Sequence, residues 1–449
     1  MTTRSATTVF VCDACGGQSR KWQGQCPHCS EWNTLVQRVV SRAATAAGGS
    51  RPPIHALDNA PAPVSERLSS GQAELDRVLG GGIVRGSVSL LGGDPGIGKS
   101  TLLLQVAAHA GRHGRVLYAS GEESLGQLGL RARRLGLAAE QLGVVSVTDL
   151  ESALAQATEH KAALLIVDSI QTMQTTSVPA SAGAVSQLRE CTAELVRFAK
   201  ASDTAVIIVG HVTKEGTIAG PRVLEHLVDT VLYFESEVSS RYRVVRATKN
   251  RFGAVGELGF FAMTESGLKE VRNPAAIFLA RAPQPAAGSI VTVTREGGRP
   301  LLIELQALVD RMRFGVPRRN AQGLDANRVA MLLAVLNRHA GLSLQEHDVF
   351  VNVVGGMQIS ETAWDLPLAL ALASSLSDRP LERSLVSFGE LGLTGEVRPV
   401  AYGEERLREA HKQGFRIAVV PADNAPRKPL AGLEVKPIAR ISEALTAAW

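Results

Sequence analysis

The chain has 449 residues, a formal net charge of +5 and five cysteines. Its length exceeds what one compact hydrophobic core usually supports, so we expect two or three domains. An apolar fraction of 45% and a charged fraction of 20% are ordinary for a soluble globular protein, and no apolar run is long enough to span a bilayer. A pI near 9.0 favours polyanionic partners only mildly. Composition therefore argues against a membrane protein and leaves the partner open.

The N-terminal segment carries most of the cysteines. The first residues, MTTRSATTVF, lack the basic start and long apolar stretch of a secretory signal, so we expect a cytoplasmic protein. Clustered cysteines in a reducing cytosol bind metal more often than they form disulfides. The four clustered thiols are those of Cys12, Cys15, Cys26 and Cys29. Two Cys-x2-Cys pairs offer the thiolate set that suits tetrahedral Zn²⁺, and we predict a zinc-binding module at residues 1–40.

The cysteine pairs and the aromatic residues near them each allow a second interpretation. A redox-active pair is the alternative to zinc, but such a pair needs a thioredoxin-like sheet, which about thirty residues cannot build. Trp22 and Trp32 lie near the cysteines with Arg20 and Lys21. They either stack on nucleic-acid bases or cover the small core of the module itself.

Residues 41–63 are rich in Ala, Gly and Pro and have no periodic apolar pattern, which indicates a linker. From residue 64 to 270, short β-branched runs alternate with amphipathic stretches, which predicts a mostly parallel sheet covered by helices. The predicted strands are residues 87–91, 116–119, 144–147, 164–167 and 206–209. Runs at 230–234, 242–248 and 258–262 are too closely spaced for helices between them. We expect these three to extend the sheet antiparallel.

Residues 271–449 predict a second α/β domain. Its predicted strands are residues 289–294 and 301–305, and its predicted helices are residues 327–339 and 366–375.

A phosphate-binding loop is the strongest motif in the chain. GDPGIGKS at residues 93–100 fits G-x-x-x-x-G-K-[ST] and lies between a predicted strand and a helical run. The glycines let backbone N–H groups surround phosphate oxygens, Lys99 neutralises the β- and γ-phosphates of ATP, and Ser100 supplies a hydroxyl ligand to Mg²⁺. The predicted nucleotide-binding residues are Gly93, Asp94, Pro95, Gly96, Ile97, Gly98, Lys99, Ser100 and Thr101.

Carboxylates that ATP hydrolysis requires follow two other predicted strands. Asp168 ends the apolar run 164–167 and is the predicted second magnesium ligand, with a helix N-cap as the alternative. Glu122 is the predicted hydrolytic base. It lies with Glu123 after the strand RVLYAS, which we expect beside the strand of the phosphate loop. Either glutamate could instead occupy the first turn of a helix. His211 ends another strand, where it either senses the γ-phosphate or is structural.

Three segments then resemble one known family. RLSSGQAELDRVLGGGIVRGSVSLLGGDPGIGKSTLLLQ at residues 67–105, YASGEES at 118–124 and KNRFG at 249–253 resemble the bacterial DNA repair protein RadA family, also called Sms. The resemblance covers the whole chain. It implies an α/β fold in which a four-cysteine zinc module precedes a RecA-like P-loop ATPase domain at 64–270 and a Lon-protease-like domain at 271–449.

A catalytic role for the KNRFG segment is predicted only by the family resemblance. It is similar to a KNRNG element of DnaB-type helicases, in which basic residues reach the ATP of the neighbouring subunit. The resemblance thus implies that Lys249 and Arg251 act in catalysis in trans, whereas the residues alone also fit a solvated turn. It further implies a homohexamer that binds single-stranded and branched DNA, translocates with ATP, and promotes branch migration of recombination intermediates made by the RecA recombinase.

The C-terminal domain departs from the Lon protease pattern at its catalytic pair. Asp365 aligns with the nucleophilic serine, and Glu404 with the lysine. Neither can replace a hydroxyl nucleophile or an amine base, so we expect no peptidase activity and a role in ring assembly and DNA contact. RMRFGVPRRN, at residues 311–320, is either a basic DNA-binding loop or a solvated charged face. Its arginines are Arg311, Arg313, Arg318 and Arg319.

Overall fold

A computed structural model describes residues 7–12, 17–28, 30–40, 66–138, 142–211, 223–235, 242–279, 285–312 and 315–449. The chain forms two compact units, Met1–Glu270 and Val271–Trp449. Within the described ranges, no helix is long and apolar enough to cross a membrane.

The N-terminal segment forms a small antiparallel sheet of strands β1 (Thr7–Cys12), β2 (Gln18–Ser19) and β3 (Leu35–Val40), in the order β2-β1-β3. Cys12 lies opposite Leu35 in the pairing of β1 with β3. Together with Cys26, these two residues form the buried core of this sheet. A core of this size contributes little hydrophobic stabilisation, which is typical of a module that metal binding orders.

The remainder of the first unit is a nine-stranded sheet with helices on both faces. Its elements are β4 (Arg67–Leu68), α1 (Ala73–Val78), β5 (Ile83–Val84), β6 (Val88–Gly93), α2 (Lys99–Ala110), β7 (Val116–Ser120), α3 (Leu125–Arg134), β8 (Leu142–Ser146), α4 (Leu150–Glu159), β9 (Leu164–Asp168), α5 (Val185–Ser202), β10 (Ala205–His211), β11 (Thr230–Glu235), β12 (Tyr242–Asn250), β13 (Leu258–Thr264) and β14 (Gly267–Glu270). The strand order is β14-β13-β12-β11-β6-β10-β9-β7-β8, while β4 pairs with β5 separately. A short 3-10 helix, Ile170–Thr172, follows β9.

The central strands are buried on both faces, as expected for parallel strands between layers of helices. Every residue of β6, β7 and β9 is buried. Successive side chains point to opposite faces, so Leu91 and Ile166 join one apolar cluster and Leu90 and Leu165 join the other. Helix α2 packs in the first cluster and α5 in the second. This burial explains why the sequence shows these strands as uninterrupted apolar runs.

The predicted strands of this unit are confirmed, although the one predicted at 144–147 is Leu142–Ser146. The expectation that runs 230–234, 242–248 and 258–262 all extend the sheet antiparallel is wrong for the first. Strand β11 pairs parallel with β6, and only β12, β13 and β14 follow antiparallel. The chain between His211 and Thr230 is long enough for the crossover that a parallel pair requires.

A second correction concerns the strand before Glu122. Strand β7 lies between β9 and β8, and both β10 and β9 separate it from β6. The expectation that it lies beside the strand of the phosphate loop is therefore wrong. Because β6, β7, β9 and β10 are parallel, their carboxyl ends still meet at one edge of the sheet.

The second unit is built on a seven-stranded mixed sheet. Its elements are α6 (Ala275–Phe278), β15 (Ser289–Glu296), β16 (Arg299–Arg311), β17 (Arg319–Gln322), α7 (Ala326–His339), β18 (His347–Val353), α8 (Asp365–Ser377), β19 (Leu385–Ser387), β20 (Glu390–Leu391), β21 (Val397–Arg398), α9 (Gly403–Lys412), β22 (Ile417–Pro421), β23 (Glu434–Ile438) and α10 (Ile441–Ala447). The sheet order is β17-β18-β16-β15-β19-β22-β23, and β20 pairs with β21. Helix α8 is surrounded by protein on all sides, since its first ten residues are all buried and most of them are apolar. The strands and helices predicted here are confirmed.

Candidate functional site

The phosphate-binding loop connects the last residue of β6, Gly93, to the first residue of α2, Lys99. A Cβ atom at Gly93 would come within 2.6 Å of the carbonyl oxygen of Phe234 on the adjacent strand β11. Gly98 adopts a φ of 118°, a region that L side chains rarely occupy. Glycine at these two positions is thus required by packing and by backbone conformation.

The N-terminus of α2 provides the electrostatic part of the site. The helix is twelve residues long, and its first turn contains no acidic residue. Its free N–H groups and its dipole favour an anion at this end. Ser100 and Thr101 follow Lys99 in the first turn and are partly buried, whereas Asp94, Pro95 and Gly96 are exposed at the tip of the loop. A Cβ atom at Gly96 would meet no atom within 4 Å, so this part of the loop is open to a ligand.

Lys99 is 3% exposed, and its ammonium group makes three contacts. Nζ donates to the carbonyl oxygens of Gly93 at 2.8 Å and Asp94 at 2.9 Å, and it lies 3.1 Å from Nδ1 of His211. Burial lowers the pKa of Lys99 to about 8, against the opposing charges of Asp168, Glu122 and Asp94.

Asp168 is the last residue of β9 and is 3% exposed. Its Oδ2 accepts a hydrogen bond from the hydroxyl of Tyr118, whereas its Oδ1 is buried without a hydrogen-bond partner in the described part of the chain. Burial, followed by the charge of Asp168, raises the pKa of Tyr118, so its hydroxyl stays a donor. The alternative that Asp168 caps a helix does not hold, because the N-cap of the following 3-10 helix is Ser169.

These residues fit a magnesium ion. A buried carboxylate oxygen without a partner is costly unless a donor or a cation satisfies it, and Mg²⁺ prefers carboxylate and hydroxyl oxygens. Asp168 and Ser100 would hold the ion, which supplies positive charge to the phosphates of a bound nucleotide.

The two glutamates after β7 have different surroundings. Glu123 forms an ion pair with Arg131 of α3. Glu122 accepts hydrogen bonds on Oε1 from Ser169 Oγ and from Nε2 of His211, the latter at 2.7 Å. Its bond to His211 contributes most to holding the pKa of Glu122 down to about 2. Helix α3 begins at Leu125 with Ser124 as its N-cap, so neither glutamate lies in its first turn.

Lys99, Asp168, Glu122 and His211 therefore lie at one edge of the sheet, and hydrogen bonds connect Lys99 to Glu122 through His211. Two partners in this arrangement, Tyr118 and Ser169, were missed in the sequence. The sequence points to these two residues only by their positions, because Tyr118 belongs to the strand before Glu122 and Ser169 directly follows Asp168. Sequence patterns do not reveal which strands are neighbours, so neither contact was predictable.

The KNRFG segment lies at the opposite edge of the same sheet. Thr230 of β11 pairs with both Asn250 and Ser89, whereas Phe234 pairs with both Val245 and Gly93. Asn250 is thus about 13 Å along the strands from the phosphate loop, at roughly 3.3 Å per residue. Neither Lys249 nor Arg251 is placed to contact a nucleotide bound at the loop of its own subunit.

Lys249 and Arg251 differ in how firmly they are held. Lys249 Nζ donates to the carbonyl oxygens of Glu225 at 2.7 Å and Val228 at 2.8 Å. Arg251 makes one ion pair, with Asp229 at 3.2 Å, and 58% of its side chain is exposed. Arg251 is therefore the more available of the two cations.

The first cysteine of each pair makes a similar main-chain hydrogen bond. The N–H of Cys12 donates to the carbonyl of Gly17 at 2.9 Å, and that of Cys26 donates to Glu31 at 2.8 Å, so each bond spans five residues. Cys12 and Cys26 are buried. Cys15 and Cys29 lie outside the described residues. Trp22 is 58% exposed and Trp32 is 67% exposed, which does not fit the alternative that both cover the core of the module.

In the second unit, Asp365 and Glu404 have separate ion-pair partners. Asp365 is fully buried at the start of α8, where it forms an ion pair with Arg328 and accepts a hydrogen bond from the N–H of Leu391. Glu404 is exposed and pairs with Arg408 one helical turn away. Asp365 thus makes structural contacts, and its side chain is a carboxylate where the Lon protease pattern has a hydroxyl.

The arginines of residues 311–320 are only partly available. Arg318 is bound to Asp348 through two nitrogens, and Arg319 donates to the carbonyl of Leu344. Arg311 is exposed at the end of β16, and Arg313 lies outside the described residues. The interpretation of this segment as a free basic loop therefore has less support than its four arginines suggest.

Comparison with known proteins agrees with this geometry. A family model described as an AAA domain matches residues 53–217, one described as subunit ChlI of Mg-chelatase matches residues 315–424, and one described as a rubredoxin metal binding domain matches residues 10–37. The fold and the site define a RecA-like P-loop ATPase with an N-terminal zinc ribbon and a ChlI-type, Lon-protease-like C-terminal domain. The predicted fold class is confirmed.

Relatives over the whole length identify the family. Proteins named DNA repair protein RadA are 52% identical in Pseudomonas aeruginosa (98% of this chain and 99% of the relative), 49% in Escherichia coli (98% and 97%) and 47% in Bacillus subtilis (97% and 97%). The chain belongs to the DNA repair protein RadA family, as the sequence resemblance indicated. Its AAA-type domain implies ATP with Mg²⁺ and hydrolysis of ATP, its zinc ribbon suggests a metal, and its family implies DNA binding.

The lowered pKa of Lys99 predicts how nucleotide affinity depends on pH. The ammonium form attracts phosphate, and above a pKa of about 8 a proton must be taken up for binding. The Kd for ADP with Mg²⁺ should be nearly constant up to about pH 7, roughly double by pH 8, and rise by up to about tenfold per pH unit above that. Titration with a fluorescent ADP analogue measures this. Lys99→Arg, which stays charged, should lose the dependence, and a wild-type Kd that is flat to pH 9.5 would contradict the assignment.

Proposed function

We propose that this protein is a DNA-dependent ATPase and helicase-like motor that acts in recombinational DNA repair. In this proposal it translocates on single-stranded DNA and promotes branch migration of recombination intermediates. The observation that carries the proposal is the convergence of Lys99, Asp168 and Glu122 at one sheet edge, in a chain whose full-length relatives are named DNA repair protein RadA.

The roles at this edge follow from chemistry. Backbone N–H groups of residues 93–98, with Lys99, Ser100 and Thr101, would bind the phosphates of ATP. Ser100 and Asp168 would hold Mg²⁺. Glu122 would act as the hydrolytic base rather than Glu123, because Glu123 is committed to Arg131 and Glu122 connects to Lys99 through His211.

Action in trans by Arg251 and Lys249 is the part of the proposal that needs a ring. Both residues lie at the edge of the sheet away from their own phosphate loop, so they can reach a nucleotide only on another subunit. A head-to-tail ring brings opposite surfaces of neighbouring subunits together, and a homohexamer satisfies this requirement. An arginine that stabilises the charge developing on phosphate accelerates hydrolysis by roughly three to five orders of magnitude.

Contact with DNA is supported by surface features of the zinc module. Trp22 and Trp32 expose more than half of their side chains, and Arg20 and Lys21 beside them are exposed. Aromatic faces stack on unpaired bases and cations contact the phosphates. The preference for branched DNA, the partnership with the RecA recombinase and action in the cytoplasm rest on the family resemblance.

We further propose that Cys12, Cys15, Cys26 and Cys29 bind one Zn²⁺ and that the Lon-protease-like domain has no peptidase activity. The similar main-chain hydrogen bonds of Cys12 and Cys26, together with the burial of both residues, support the first proposal. The ion pair of Asp365 with Arg328 supports the second, because it occupies the position of the nucleophile with a buried structural contact.

The DNA assignment predicts the behaviour of ATP turnover. Single-stranded DNA should increase the ATPase rate of the full-length protein several-fold, and Lys99→Ala should reduce turnover at least about a hundredfold because the phosphate charge is no longer neutralised. Phosphate release measured with and without DNA tests both. Lys200→Ala, on the exposed surface of α5, is the control and should behave like wild type. Normal turnover that is indifferent to DNA would remove the DNA assignment and leave the ATPase intact.

Action in trans predicts complementation between two inactive variants. Lys99→Ala and Arg251→Ala should each be inactive alone. Mixed after dissociation and reassembly, they should regain activity, because a Lys99-intact subunit can face an Arg251-intact neighbour at about a quarter of interfaces. An equal mixture of Lys99→Ala with Lys99→Ala,Arg251→Ala is the control and should stay inactive. No recovery in mixed rings would sink the trans assignment.

Zinc binding predicts a metal content of about one ion per chain. Cys26→Ser should lose the metal, because a structural site requires all four thiolates. Cys191→Ser is the matched control, since Cys191 is buried in the ATPase domain and burial raises its pKa to about 12. Metal analysis of the purified proteins measures this. Equal zinc in both variants would contradict the assignment.

A further inference from the structure

We propose that His211 is a positioning residue that competes with phosphate for the ammonium group of Lys99, and that this exchange releases Glu122 for its role as the base. This inference rests on the proposed ATPase function and adds the regulation of that same site. It concerns a histidine whose role the sequence left open between phosphate sensing and structure.

The ammonium group of Lys99 has no hydrogen-bond donor left for a phosphate oxygen. A protonated ammonium group has three N–H donors and no acceptor. All three are used, by Gly93 O, Asp94 O and His211 Nδ1. Two of these acceptors are main-chain oxygens at the start of the loop. A phosphate oxygen can accept from Lys99 only if one contact is given up, and His211 is the only partner on a movable side chain.

The contacts of His211 determine which of its ring nitrogens carries the proton. Because protonated Lys99 can only donate, Nδ1 of His211 must be the acceptor and carry no proton. The proton of the neutral ring is then on Nε2, which donates to Glu122 Oε1 at 2.7 Å. Both ring nitrogens are satisfied by this single assignment. Lys99 and Glu122 are the only groups that the ring contacts by hydrogen bonds in the described part of the chain.

Replacement of His211 by phosphate at Lys99 also changes the surroundings of Glu122. Its Oε1 accepts from His211 and Ser169, and these bonds hold its pKa near 2, where a carboxylate is a poor base. When phosphate takes the third donor of Lys99, the ring of His211 loses its contact at Nδ1. The ring, which is 25% exposed, can then turn away from Glu122. The freed oxygen becomes a stronger acceptor that can orient water.

This coupling predicts an effect opposite to that of an ordinary binding residue. His211→Ala removes the competitor of phosphate, so the Kd for ADP with Mg²⁺ should fall about three- to tenfold, which is the worth of one such hydrogen bond. The kcat for ATP at saturation distinguishes this exchange from a direct contact with the γ-phosphate, because removal of a direct contact would greatly lower kcat. His211→Gln should restore the wild-type Kd, since its amide can accept from Lys99 and donate to Glu122.

A mutant cycle tests the connection to Glu122. Glu122→Gln weakens the anchor of His211, so it should also tighten ADP binding. The double variant Glu122→Gln,His211→Ala should bind no more tightly than the tighter single variant. Independent charge and contact effects would instead add, which would overturn the coupling.

The experiment uses the full-length protein, with fluorescent ADP titration, steady-state ATPase assays and thermal unfolding on each variant. His113→Ala, an exposed histidine outside this edge, is the matched control for loss of an imidazole. Tighter ADP binding by His211→Ala, rescue by His211→Gln and a non-additive double variant support the proposal. Weaker or unchanged ADP binding overturns it, as does a large loss of kcat, which would indicate a direct ligand of the γ-phosphate. Unimpaired nucleotide binding by Lys99→Ala would instead show that the proposed ATP site itself is wrong.

Discussion

The common direction of four parallel strands is the constraint on which the rest of the first unit depends. Each of β6, β7, β9 and β10 ends at the same edge of the sheet, and each delivers one chemical group there. The groups are the phosphate loop, Glu122, Asp168 and His211. Parallel pairing requires crossover connections, and the helices that form them cover both faces of the sheet. The rigid apolar core therefore positions a polar site at its rim.

The reversal of direction after β11 separates the KNRFG segment from the phosphate loop. Strand β12 runs antiparallel, so its last residues return to the edge far from the phosphate loop. The KNRFG segment is held there by tight packing, since a Cβ atom at Gly253 would lie 2.8 Å from the Cα atom of Gly80. Arg67 also donates to the carbonyl of Phe252 at 3.0 Å. The phosphate loop and the largely exposed Arg251 therefore lie at opposite strand ends of the same sheet.

The second unit uses buried charge differently. Arg406 is 1% exposed and binds Glu361 through two nitrogens at 2.8 and 2.6 Å. Asp365 is fully buried against Arg328. Burial acts to raise the pKa of Asp365, and the arginine opposes this. Removing one member of such a pair would leave an uncompensated buried charge, so each of these residues needs its partner in the folded state.

Features that depend on local pattern were predictable from the residues alone. The spacing of glycines around Lys99 identified the loop, apolar runs located the strands, and Asp168 was recognised from its place at a strand end. Tertiary structure alone decided which strands are neighbours, because periodicity records burial and not pairing partners. It therefore decided that β11 is parallel, that Tyr118 supports Asp168, and that Glu122 rather than Glu123 connects to Lys99. That last choice depends on a histidine 89 residues away along the chain, which no local pattern can reveal.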